Sequence, residues 1–117
     1  SMEQFTSPIF DIGKLMQSLI SKYEEWAYLD NSTIDLFIRN FSIEEEKIKI
    51  NSDLALAKNI FSYYKEYISK DIILDSLFSL SQILIRVAPY RIRAGYQYSA
   101  LLCLMKGYAI IEFLDEM

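Results

Sequence analysis

Of the four arginines in the chain, three (Arg86, Arg91 and Arg93) fall within eight residues around Pro89, interleaved with Tyr90 and followed by Tyr96 and Tyr98. Planar, bidentate guanidiniums beside aromatic rings can grip a carboxylate, a phosphate or an acidic patch on a protein. The competing expectation is that these arginines pair with the chain's own acids, such as the run Glu44 to Glu46. Tyr63, Tyr64 and Tyr67 occupy three positions within five residues and cannot all face one core. At least one is expected at the surface, where tyrosine buries area on a partner at low entropic cost. The candidate partner-binding residues are therefore Arg86, Tyr90, Arg91, Arg93, Tyr96, Tyr63, Tyr64 and Tyr67.

Catalytic chemistry has few parts to work with. There is no histidine, which removes Ser-His and Cys-His nucleophilic systems and the ordinary zinc and facial-triad iron sites. One cysteine, Cys103, allows neither an intrachain disulfide nor a Cys-cluster metal site, and it points to a reducing compartment. Gly13, Gly95 and Gly107 are isolated, so no glycine-rich phosphate loop exists. Adjacent carboxylates such as Glu24 with Glu25, or Asp115 with Glu116, diverge on a helix instead of converging on a substrate. Asp75 is the better acid, yet it is expected on a solvent stripe, and Cys103 reads as a small core hydrophobe. The expectation is a protein without catalytic residues, metal or cofactor.

Charge narrows the partners further. Twelve basic against sixteen acidic residues give a net charge of −4, the wrong sign for a protein that binds by neutralising phosphates, so general nucleic-acid binding is not expected. Ser1 ahead of Met2 reads as a cloning remnant, and the first ten residues have neither the basic start nor the apolar run of a signal peptide. A cytoplasmic location, in the protein's own cell or a host's, is the expectation.

The elements that must hold these side chains read as helices almost throughout, since apolar residues recur at three and four. Ser7 and Pro8 start a first helix whose apolar face includes Met16, Ile20, Tyr23 and Trp26 and runs to about Tyr28. Asp30 to Thr33 is a polar break before a short second helix through Ile34 and Phe41. Ser42 with Glu45 has capping-box spacing for a third, and Asn51 to Asp53 reads as a fresh cap for a fourth ending near Ser69. A further helix spans about Asp71 to Ala88, its polar residues Asp75, Ser79, Gln82 and Arg86 forming one narrow stripe, and Pro89 ends it. The last, from about Ala94 to Leu114, is apolar on nearly every side.

Asp75 and Arg86 interrupt the first of these two long helices and Lys106 the second, so both are expected as buried core helices with no transmembrane span. Residues 1–117 are therefore read as a single all-α domain, a compact bundle of five or six helices around a very apolar C-terminal hairpin. Leu77, Leu80, Leu84, Leu101, Leu104 and Met105 are its expected core. In outline such a bundle resembles the bacterial immunity proteins that neutralise a bacteriocin or toxin, and the small poxviral helical bundles related to apoptosis regulators. Both resemblances are architectural and imply action by occupying another protein's surface, without supplying site residues here. The leading expectation is a non-enzymatic protein-interaction module, an inhibitor or immunity-type protein. The alternatives are a domain binding a small apolar or anionic ligand between its last two helices, and a homodimer or larger homo-oligomer joined through part of Tyr96 to Ile111.

Overall fold

The computed structural model describes residues 17–63 and 69–117, and among them there are five α-helices and no strand. The start of the first expected helix, at Ser7 and Pro8, lies outside the described residues. Its later part is a π-helical turn, Gln17–Ser21, that breaks at Lys22 (φ 51°), before the four-residue α1, Tyr23–Trp26. Trp26 is buried and its indole N–H donates to the Ser21 carbonyl at 2.8 Å, fixing the break.

Helix α2, Asn31–Arg39, begins inside what read as a polar break, because the Asp30 carboxylate accepts the Thr33 N–H at 2.8 Å and caps it. Helix α3, Ile43–Tyr63, is one continuous helix where two were expected. Ser42 caps it through the Glu45 N–H, while Asn51, Ser52 and Asp53 lie within it as ordinary helical residues. Lys47, Ile50, Leu54 and Ala57 carry its buried face.

Helix α4, Lys70–Arg93, starts at Ser69, whose hydroxyl accepts the Ile72 N–H. Pro89 does not end it. Its ring sits on the exposed side, and the helix runs another turn to Arg93. The stop belongs to Gly95, whose φ of +90° lets the Tyr96 N–H reach the Arg91 carbonyl (2.8 Å) and its own N–H reach Ile92 (3.0 Å). These are the two bonds of a Schellman motif. Helix α5, Gln97–Asp115, then returns antiparallel against α4. Gly107 permits the close approach, since a Cβ there would lie 3.1 Å from Ile85 Cγ1 and 3.2 Å from the Ser81 carbonyl oxygen.

The expected core divides. Leu77, Leu80 and Leu84 are buried, and Leu102, Cys103 and Ile110 join them from α5. Leu101 and Leu104 are instead exposed (46% and 40%), and Met105 is half-buried. Helices α4, α2 and α3 pack against α5, and these leucines sit on the side that they leave open.

Candidate functional site

Arg91 is a buried residue of the fold. The stripe Leu77, Leu80, Leu84, Ala88, Arg91 recurs at three and four, so the helix carries Arg91 inward with the core leucines. Its Nη2 donates to the Ala27 carbonyl, and its guanidinium carbon lies 4.3 Å from the ring centroids of both Tyr28 and Tyr96. The two rings meet edge to face, 6.1 Å apart. Arg91 thereby ties the turn after α1 to the hairpin tip, and its Nε–H is buried without an acceptor.

Arg86 and Arg93 point the other way. With Tyr90 they sit at i, i+4 and i+7 on the outward face of α4, all exposed, and Arg93 lies over the Tyr90 ring at 4.9 Å. The pairing of these arginines with Glu44 to Glu46 does not occur: Glu44 binds Lys47 at 2.8 Å and Glu46 binds Lys106 at 3.2 Å. Among the described residues no carboxylate lies within ion-pair distance of Arg86, Arg91 or Arg93. The sequence carries the reason, because from Ser76 to Ile111 there is no Asp or Glu at all. Tyr96 is half-buried against Arg91, and Tyr64, Tyr67 and the side chain of Tyr63 lie outside the described residues.

The outward face of α5 lies within the stretch Tyr96 to Ile111 that the sequence offered for self-association, although Leu101 and Leu104 were expected in the core. Tyr98, Leu101, Leu104 and Tyr108, spaced three, three and four, are exposed by 40 to 51%. Lys106, the one charge between Gln97 and Ile111, turns inward to Glu46, so the row carries no charge until Glu112, whose carboxylate lies at the Tyr108 hydroxyl. A shallow, mainly apolar groove runs beside it, lined by Phe41, Ile43, Leu104, Met105 and Tyr108 with Ser42 and the Glu44 carboxylate at its edge. The sequence signal for it was a helix apolar on nearly every side, which the three helices packed against it cover only in part.

A cleft of about 380 Å³ opens where α1, the α2–α3 connection and α5 meet, with Trp26, Phe37, Phe41 and Leu102 as its apolar wall and Lys22, Glu25, Glu45, Lys49 and the Glu46–Lys106 pair as its charged one. It is not between the last two helices, where a ligand was expected and where Gly107 brings the backbones together. Lys47, bonded to Glu116 at 2.6 Å and to Glu44, fastens α3 to the end of α5, and those two carboxylates hold its ammonium above the ordinary lysine range. Asp75 is exposed, and Cys103 is buried with its thiol pushed up to about 11 by desolvation. No cluster of metal-ligating side chains occurs among the described residues. By length and composition α4 could cross a membrane, and a third of its most apolar window is buried within the protein.

No protein-family model, curated protein or solved structure matches the chain.

Proposed function

We propose that the chain is a non-enzymatic helical interaction module, of the inhibitor or immunity type, that acts by covering part of a partner protein. The outward face of α5 supports this reading: two tyrosines and two leucines stand exposed in a row beside a mainly apolar groove. A row of this kind removes apolar area from water on contact, with carboxylates only at its margin, at Glu44 and Glu112. Tyrosines at its two ends supply large area at low entropic cost. The test compares wild type with Leu101→Glu/Leu104→Glu in capture from native lysate, at matched helicity and melting temperature. A protein held by wild type and lost from the variant supports the reading, and one held equally by both counts against it.

The cleft at Trp26 supports a second reading, binding of a small ligand. Its volume is in the range of small-molecule sites, and it combines an aromatic wall with lysines and glutamates of both charge signs. Native mass spectrometry of protein purified from cells would show a retained mass that Lys106→Met releases.

A further inference from the structure

The outward face of α4 has a charge order that α5 lacks. Asp71 and Asp75 are exposed near its start, Arg86 and Arg93 near its end, and Phe78 and Ile83 (55% and 52% exposed) lie between them. None of the four charged side chains has an ion-pair partner among the described residues. At 100° per residue Asp75, Arg86 and Arg93 fall within about 20° of one line along the helix, and Phe78 and Ile83 flank that line.

This order is self-complementary under reversal. Asp75 and Arg86 are centred between Leu80 and Ser81, as are Phe78 and Ile83, while Asp71 and Arg93 are centred on Gln82. The centres differ by about 2 Å along the axis at the helical rise per residue. One two-fold axis there sets Asp75 against Arg86 twice and Asp71 near Arg93 twice, with the four apolar side chains gathered around the axis. We propose that the protein self-associates through this face, α4 of one protomer packing antiparallel against α4 of a second copy. A two-fold contact needs a patch complementary to itself, and acid, then Ser79 and Gln82 between flanking apolar side chains, then base along one helix is such a patch. The surface is separate from the α5 face, so this proposal stands or falls apart from the one above.

Charge exchange within one chain tests it. Sedimentation equilibrium of the full chain should give twice the 13.7 kDa protomer mass at micromolar protein. Asp75→Arg sets Arg against Arg86, and Arg86→Asp sets Asp against Asp75, so each should weaken the dimer about tenfold or more, counting two sites per interface. Asp75→Arg/Arg86→Asp restores opposite charges at both sites and should return the wild-type association. Circular dichroism confirms that each variant is helical, and Leu101→Glu should leave the dimer unchanged. A protomer mass for wild type up to about 100 μM, single reversals without effect, or an exchange that fails to restore association would overturn the proposal. So would dissociation by Leu101→Glu, which would put the contact on α5. Flotation of the wild-type monomer with phosphatidylcholine vesicles, lost in Phe78→Glu/Ile83→Glu, would give the α4 face to lipid instead.

Discussion

Burying a guanidinium costs solvation that a carboxylate normally offsets, and Arg91 has no carboxylate within ion-pair distance among the described residues. Two tyrosine faces and the Ala27 carbonyl stand in its place. Arg91→Ala should therefore lower unfolding stability by about 2 kcal/mol, from a lost charge-assisted hydrogen bond and the stacking. Arg93→Ala, at the surface, should stay within about 0.5 kcal/mol. Urea denaturation of the two single variants measures the contrast, and equal losses would show that Arg91 is no tie. Three clustered arginines were legible as a feature of the sequence; which of them faced inward was not, until the register of the core leucines was followed one turn past Pro89. Cys103 gives a pH test. Its folded thiol titrates near 11 against 9.0 for the free group, so between those values the unfolded chain releases a proton that the native state keeps. Stability is unaffected by this group below about pH 9 and falls as pH rises towards 11. Tyr23, also raised by burial, adds to the alkaline loss. Cys103→Ala should flatten the dependence in chemical-denaturation midpoints taken across that window, and an unchanged slope would show that the thiol is hydrated in the native state.

Helix boundaries followed cooperativity more than local punctuation. Asn51, Ser52 and Asp53 have the composition of a cap, yet α3 passes through them, because buried Lys47, Ile50, Leu54 and Ala57 continue one face across that point. Pro89 costs one N–H inside α4 but lies on the solvent side, and the burial of Ala88 and Arg91 carries the helix past it. The all-α class and the hairpin were readable from periodicity. The covered side of α5 was not, since an evenly apolar helix has no polar stripe to orient it. Truncation separates the two sides: Leu84→Ala should cost about 2 to 5 kcal/mol as a buried deletion, and Leu101→Ala less than about 0.5 kcal/mol in dilute protein. Gly107→Ala tests the hairpin's close approach. In an open helix this change gains about 1 kcal/mol, but here the new Cβ meets the Ser81 carbonyl oxygen and Ile85. Overpacking should outweigh propensity and leave the variant about 1 kcal/mol less stable; a rise in melting temperature would mean that α4 and α5 separate without cost.

At the scale of the molecule, the extents of 43 × 35 × 20 Å describe a slab. A helix with its side chains is about 10–12 Å across, so the shortest dimension holds two layers and each helix keeps one side towards solvent. Two helices that are apolar around much of their circumference must then expose apolar surface, as α4 does at Phe78 and Ile83 and α5 at Tyr98 to Tyr108. The same geometry grades stability. Helices α4 and α5 share the most extensive interface, with Leu77, Leu84, Leu102, Cys103 and Ile110 buried between elements. Helix α3 is held to α5 over its first half, through Ile50, Leu54 and the Lys47–Glu116 and Glu46–Lys106 pairs, and its last buried position among the described residues is Ala57. Opening the hairpin exposes the core, and the ion pairs and buried side chains described for α3 lie between Glu44 and Ala57, so amide exchange should be graded along the chain. The slowest amides should fall in Leu77 to Ala88 and Ala100 to Ile110, with protection decaying along α3 beyond Ala57 and lowest in the four-residue α1. Hydrogen–deuterium exchange read by mass spectrometry at peptide resolution checks this order. Equal protection along the whole of α3 would make it part of the same cooperative unit as the hairpin, and faster exchange in α5 than in α3 would reverse the assignment of the core.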